Sequence, residues 1–403
     1  MAELHLLSPG GFTAAGIHAG VKSTRKPDVG LLVADAACSA AAVFTTNRVV
    51  AAPVIVGRDH VAAGRLRAIV VNSGNANACT GAQGRKDALT MCRQTAAAVG
   101  CEVGEVLPSS TGIIGHLLPM TKITAGIAAA AAKLGNSHEH ALAFADAIMT
   151  TDTRRKSAAG AFTIARSKAI IAGVCKGSGM IGPRLAATPP HATMLAYITT
   201  DVAIAPSLLR RLLADATDAS FNAVTVDDHC STNDTVCLMA SGHGPVIRAK
   251  KDIATFASAL GEICRSLAWQ IAADGEGATK VVQIDVRNAQ AEADARAIAR
   301  GIANSPLVKC AMHGNDPNWG RIVSAAGYSA TSFDPDRSVL RLQGTPVFRH
   351  GRPVPFNAAA LSKRLASDRV LVDLDCGNGS GCATVYTCDL SREYIRINAD
   401  YHT

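Results

Sequence analysis

Short apolar runs recur along the chain. Residues 29–35 (VGLLVAD), 68–72 (AIVVN), 197–203, 280–286 (KVVQIDV) and 370–375 (VLVDLD) are rich in β-branched residues and bounded by turn residues. Runs of that length and composition read as strands buried in a sheet. Between them the apolar spacing changes to a helical period. From Pro206 onward, Leu208, Leu209, Leu212, Leu213 and Ala216 fall on one face of a helix that the proline initiates. Residues 123–134 are Ala-rich, Ser137 stands where an N-cap opens a helix through Ile148, and residues 288–303 carry Ala and Ile at helical spacing. Strands alternating with helices predict a layered α/β or α+β fold. The adjacent Pro189 and Pro190 place residues 186–191 (AATPPH) in a loop, because a Pro-Pro pair fits neither a helix interior nor a central strand.

Composition narrows the class. The chain has 403 residues, 48% hydrophobic and 18% charged, which excludes disorder as its main state and suggests two or three domains or two large lobes. No apolar run reaches the roughly 18 residues of a membrane helix. The opening MAELHLLSPG lacks a secretory plan. A soluble, cytoplasmic protein with no membrane partner is expected. Lys and Arg exceed Asp and Glu by 40 to 32, a net charge of +8. The basic residues are scattered, with 154–156 and 248–251 as the densest groups, and aromatics are only 4%. No nucleic-acid partner is expected from such a pattern. The 12 cysteines form no C-x-x-C pair, so reduced thiols are expected and no metal site is called for.

Three stretches invite functional readings. Residues 370–383 (VLVDLDCGNGSGCA) place Gly377, Gly379 and Gly381 after a strand, but the spacing is G-x-G-x-G and a further strand follows. A Gly-rich hairpin turn is expected there rather than a dinucleotide loop, which needs a helix N-terminus. Asp227-Asp228-His229-Cys230 contains metal-ligand types, but contiguous residues point alternate ways on an extended chain, so a polar loop is expected. Residues 72–84 (NSGNANACTGAQG) are dense in Asn and Gly. Turn chemistry and a pocket of backbone N–H groups both account for that composition.

A larger constellation runs through the chain. It comprises 72–81 (NSGNANACTG), 109–115 (SSTGIIG), 150–153 (TTDT), 176–181 (KGSGMI), 192–198 (ATMLAYI), 231–235 (STNDT), 274–280 (DGEGATK) and 316–321 (DPNWGR), in that order. Together these motifs make the chain resemble the ornithine acetyltransferase family of arginine biosynthesis, also described as bifunctional glutamate N-acetyltransferase/amino-acid acetyltransferase. The resemblance extends from GFTAAG at 11–16 to INADYHT at 397–403.

The resemblance implies an αββα sandwich of the N-terminal-nucleophile kind with a smaller second lobe. It also implies autocleavage between Ala192 and Thr193, giving an α chain of residues 1–192 and a β chain of residues 193–403 that form one two-lobed unit, paired as α₂β₂. Thr193 would be the nucleophile. An alkyl hydroxyl is a poor nucleophile at neutral pH, and a freed α-amine titrating near 7.7–8.0 can take its proton. Composition alone would make Thr193 an ordinary β-branched residue entering a strand.

By the same resemblance, Thr111 and Gly112 form the oxyanion hole, and Thr153, Lys176, Thr193, Glu276, Asn398 and Thr403 bind substrate. Lys176 suits an α-carboxylate, and Glu276 suits the ornithine ammonium. The implied reaction is ping-pong transfer of acetyl from N2-acetyl-L-ornithine to L-glutamate, without metal or redox cofactor and with acetyl-CoA as an optional co-substrate. The alternative is an autoprocessed amidase or aminopeptidase with water as acceptor, since one fold hosts both activities. Two departures stand out. Residues 186–191 look like an insertion, so 17 positions separate Lys176 from Thr193, and VDDHC replaces the family's usual VDGDT.

Overall fold

The structure is a computed structural model that describes residues 3–185, 194–330 and 332–400. The chain divides into two compact units. The first takes Met1–Asn222 with His229–Leu267, and the second takes Ala223–Asp228 with Ala268–His402.

The first unit is built on one mixed sheet. Its strands are β1 (Phe12–Ile17), β2 (Val29–Phe44), β3 (Arg65–Asn75), β4 (Val106–Ile113), β5 (Lys156–Ile164), β6 (Ser167–Lys176), β7 (Leu195–Thr200) and β8 (Thr235–Ala240). The order is β4-β3-β2-β8-β7-β6-β5, with β1 on β2. The β3–β4 and β7–β8 pairs are parallel and the rest antiparallel. Strand β2 is far longer than the run at 29–35 implied. Its pairing with β3 shifts register between Val33 and Cys38, so residues 29–34 pair with β1 while Ser39–Phe44 pair with β8. A bulge of this kind bends the strand and lets one chain segment serve two parts of a sheet.

Among the described residues, the helices that accompany this sheet are α1 (Ala52–Val61), α2 (Gly81–Val99), α3 (Met120–Ala131), α4 (His138–Ile148), α5 (Pro206–Asp218) and α6 (Lys250–Ala273). The two-residue period of β2 sends Leu31 and Val33 into a cluster with Met91 of α2 and Ile123 and Ile127 of α3. Leu32 and Ala34 join Phe144 of α4, Tyr197 of β7 and Met239 of β8. Helix α5 begins at the expected proline and buries Leu209, Leu212, Leu213 and Ala216, while Leu208 lies on the flank of the stripe and is half-buried. Helix α3 lies three residues earlier than its Ala-rich run, because Gly135 exchanges backbone hydrogen bonds of 2.9 and 3.2 Å with Ala14 of β1 and draws the chain out of the helix. Ser137 does occupy the N-cap of α4, but its hydroxyl meets His140 Nδ1 at 2.7 Å rather than a backbone N–H.

The second unit has β9 (Val281–Ala289), β10 (Val339–Leu342), β11 (Thr345–Arg349), β12 (Arg352–Pro353), β13 (Arg369–Asp375) and β14 (Gly381–Cys388). Its helices are α7 (Glu292–Asn304), α8 (Pro306–His313), α9 (Trp319–Ser329), α10 (Ala358–Leu365) and α11 (Arg392–Asp400). The strand order is β12-β11-β10-β13-β9-β14. This order corrects the expected hairpin at 376–381: β13 and β14 do not pair with each other, because β9 lies between them, parallel to one and antiparallel to the other. The glycines there allow a crossing instead. A Cβ on Gly379 would stand 2.3 Å from the Ala289 carbonyl oxygen, and one on Gly381 would stand 2.2 Å from that of Ala291. The helix expected from 288 starts at Glu292, since Asn288 and Ala289 complete β9.

Mixed sheets with covering helices accord with the expected layered α/β class and αββα sandwich. Among the described residues no helix is long and apolar enough to cross a membrane.

Candidate active site

In the first unit the parallel pair β3–β4 brings Ser73 beside Thr111 and Gly74 beside Gly112. The Asn-rich stretch that leaves β3 is buried and holds its own backbone. Ser110 Oγ donates to Asn72 Oδ1 at 2.6 Å, Asn72 Nδ2 donates to the Asn75 carbonyl at 2.9 Å, and Asn77 Nδ2 donates to that of Gly84 at 2.9 Å. Asn233, one residue before Asp234, ties both strand ends together by donating to the carbonyls of Ala76 and Ser110 at 2.5 and 2.9 Å. Side-chain amides here replace the ladder that ends with the strands.

Gly112 takes φ +134°, and a Cβ on it would stand 2.3 Å from the Gly74 carbonyl carbon. Only glycine suits both the dihedral and the space. Gly112→Ala is expected to cost at least about 2 kcal/mol in a urea titration, through strain and the backbone clash together. An unchanged midpoint would contradict this geometry.

Two lysines lie near this strand pair. Lys22 packs against Gly74, with its Cγ 3.1 Å from where a Cβ would be, and its Nζ donates to the Pro27 carbonyl at 2.7 Å. Burial pushes its ammonium down to about 8. The loop carrying it is wrapped on Asp28, a buried carboxylate that accepts the backbone N–H groups of Ala19, Gly20, Val21 and Lys22 at 2.6–3.1 Å.

Lys176, at the end of β6, is buried and donates to Thr111 Oγ1 at 3.4 Å, its single hydrogen bond among the described residues. An ammonium with three donors and one long bond is suited to hold an anion.

The charge of Lys176 is balanced by a residue that sequence analysis missed. Asp152 is buried, and its Oδ1 accepts from Lys156 Nζ at 2.6 Å and from the Gly177 backbone at 2.7 Å. Burial alone would raise its titration, but the charges of Lys176 and Lys156 and the Gly177 N–H outweigh that and hold it well below the usual carboxylate range. The signal was present in the TTDT motif, where attention went to Thr153. The structure places Thr153 beside Asp152 on the exposed side of the turn.

Glu276 and Asn398 belong to the second unit. Asn398 Nδ2 donates to Glu276 Oε2 at 2.9 Å. The tail residue Asn398 thus sits on a helix, α11, rather than on a frayed end. Gly277 makes that approach possible: at φ +71°, a Cβ there would stand 2.4 Å from the Tyr394 nitrogen. The 227–230 stretch is a loop in which Asp228, at φ +54°, meets Arg300 at 3.4 Å. Among the described residues no three His, Cys, Asp or Glu side chains cluster as metal ligands.

Ala192, Thr193, Thr403 and the 186–191 insertion lie outside the described residues. The first described residue after them, Met194, accepts the Thr235 N–H at 2.8 Å where β7 and β8 begin their parallel pairing.

Comparison with known proteins gives a consistent set of relatives. The model of the ArgJ family matches residues 13–403. The arginine biosynthesis bifunctional protein ArgJ of Rhodopirellula baltica is 43% identical over 404 residues, covering 99% of this chain and 97% of that protein. Its counterpart in Listeria monocytogenes is 44% identical over 403 residues, covering 99% and 98%. Among solved structures, ArgJ from Bacillus halodurans is 43% identical and covers 45% of this chain and 95% of its own, with a TM-score of 0.44. The Mycobacterium tuberculosis ornithine acetyltransferase complexed with ornithine is 37% identical and covers 45% and 96%, with a TM-score of 0.41.

Proposed function

Because this chain belongs to the ArgJ family, we propose that it transfers the acetyl group of N2-acetyl-L-ornithine to L-glutamate, giving ornithine and N-acetylglutamate for arginine biosynthesis. The family match over nearly the whole chain is the observation that carries this reading. Relatives at 43–44% identity are named bifunctional, which supports acetyl-CoA as a second donor.

The chain first cuts itself between Ala192 and Thr193. The freed α-amine of Thr193 then takes the proton of its own hydroxyl as that oxygen bonds to the acetyl carbon. The carbon–nitrogen bond to ornithine breaks, and the proton passes to the leaving amine. The α-amine of glutamate attacks the acetyl-Thr193 ester and restores the hydroxyl. The Thr111 hydroxyl and the Gly112 backbone N–H face the developing oxyanion, where one donor is worth about 10²–10³ in rate. Lys176 receives the substrate α-carboxylate, a role supported by its burial and spare donors. Glu276, fixed by Asn398, receives the ornithine ammonium, and Thr153 and Thr403 complete the contacts. The acyl group is already activated as an ester, so the chemistry needs no metal or redox cofactor. The family resemblance supports α₂β₂ assembly and a cytoplasmic location.

The test is incubation of purified protein with N-acetylornithine, with and without glutamate. N-acetylglutamate that appears only with glutamate is the expected result. Acetate released at the same rate without glutamate would instead mark a hydrolase with water as acceptor. A parallel incubation with acetyl-CoA and glutamate reads the second donor directly.

A further inference from the structure

Glu276 stands in the short connection between Ala273 and Val281, where the Ala278 N–H donates to the Gly275 carbonyl at 2.9 Å and closes a turn. Its side chain is buried and accepts from Asn398 at 2.9 Å, and among the described residues no lysine, arginine or histidine pairs with it. A buried carboxylate without a cation is costly, and an incoming ammonium supplies one. The precision of that contact depends on how firmly the turn is held, because a side chain on a turn follows every shift of its backbone.

The chain that leaves β14 holds this turn from one side. A Cβ on Gly275 would stand 2.9 Å from Cys388 Sγ, and one on Gly277 would stand 2.9 Å from Ser391 Oγ. Ser391 Oγ donates to the Gly277 carbonyl at 2.6 Å. The densest contact is made by Asp389, whose side chain is fully buried. Its Oδ1 accepts the backbone N–H groups of Thr279 and Lys280 at 2.8 and 3.0 Å. Its Oδ2 accepts the Thr279 hydroxyl at 2.6 Å and meets His313 Nδ1 at 2.7 Å. Burial alone would raise its titration, but the donors of Thr279, His313 and Lys280 outweigh that and hold the carboxyl below its usual range. An ionised carboxylate only accepts, so it fixes the direction of each donor around it.

We propose that Asp389 is a positioning residue for Glu276: by anchoring Thr279 and Lys280 it holds the turn in which the Glu276 carboxylate meets the substrate's side-chain ammonium, and so sets the preference for an acetyl donor that carries an amine. The proposal rests on the ammonium-binding role given to Glu276 above. Asp389→Ala leaves the four donors unanswered and frees the turn. Asp389→Asn keeps an oxygen for the two backbone N–H groups, and its amide can donate to the Thr279 hydroxyl and to an unprotonated His313 nitrogen.

The test compares two acetyl donors on the full-length protein with glutamate as acceptor. N2-acetyl-L-ornithine and N2-acetyl-L-norvaline differ only in the terminal amine, so the ratio of their kcat/KM values reads the ammonium contact. A general loss of folded or active protein lowers both donors alike and cancels in the ratio. Glu276→Gln is expected to lower the ratio by about 10–10²-fold, the worth of a charge-assisted hydrogen bond. Asp389→Ala is expected to lower it at least about tenfold, as misplacement of a binding group does, with the loss in KM for N2-acetyl-L-ornithine. Asp389→Asn is expected to restore most of the wild-type ratio. An Asp389→Ala ratio equal to that of the wild type overturns the proposal. If that variant is not recovered folded, the double variant Asp389→Asn/Thr279→Val, close in shape at both positions but without the hydroxyl that answers the amide, is judged by the same criterion. A Glu276→Gln ratio equal to that of the wild type overturns the reading of Glu276 itself and is recognised before any Asp389 variant is compared.

Discussion

Thr193→Ala is expected to leave a single 403-residue chain where the proposed self-cleavage of the wild type would yield pieces of 192 and 211 residues, and acetyl transfer is expected to fall by on the order of 10⁴-fold or more. Both losses have one origin. In the proposed mechanism the hydroxyl is the oxygen that attacks the Ala192 carbonyl during the cut and the acetyl carbonyl during turnover. The α-amine proposed as base would not exist until the cut has been made. Thr193→Ser keeps the oxygen and is expected to retain both steps, which separates loss of the hydroxyl from loss of the side chain as a whole. Intact mass spectrometry reads the cut, and N-acetylglutamate formation reads the transfer. An uncut Thr193→Ala chain that still transfers acetyl at the wild-type rate would refute the mechanism.

Lys156→Met is expected to lower the stability of the first unit by about 3–5 kcal/mol, the usual cost of breaking a buried ion pair on one side. Lys156 and Asp152 are both fully buried in their side chains, and the bond between them is 2.6 Å. Methionine fills most of the space, so the loss reports charge rather than volume. Asp152 would keep the Gly177 N–H and the attraction of Lys176, and Lys176 would lose the fixed geometry of the carboxylate that balances it. The pH dependence follows from the lowered titration of Asp152. Its contribution is complete above the unfolded value near 3.9 and is lost as pH falls through the lower folded value. With one of its two lysines gone, Asp152 titrates at higher pH, and acid unfolding begins at higher pH than in the wild type. Urea titrations at pH 7 and along an acid series measure both effects. Adding Asp152→Asn to Lys156→Met should recover part of the stability, because it removes the carboxylate charge that has lost its hydrogen-bonded lysine. No recovery would mean that packing, not charge, is what Lys156 supplies.

Much of the core was legible in the pattern of apolar positions. The leucine stripe of α5, the strand at 370–375, the N-cap position of Ser137 and the strand that follows Gly381 all depend on neighbours within one or two turns. Periodicity encodes burial over such distances directly. The ordered motifs likewise carried the family and named Thr111, Gly112, Lys176, Glu276 and Asn398, each by its place in a short run of residues.

What remained hidden depends on segments far apart in the chain. The bulge that lets β2 pair with both β1 and β8 is set by its partners, not by its own apolar run. The strand order that inserts β9 between β13 and β14 turns an apparent hairpin into a crossing. Lys176 meets Thr111 across 65 residues of sequence, and Asp152 meets the Gly177 N–H across 25. The sequence by itself determined which positions would be buried and which family's chemistry they serve, because hydrophobic period and motif order are local properties. Only the tertiary structure decided which charges are matched, because electrostatic balance in a low-dielectric interior depends on the groups that folding brings within a few ångströms.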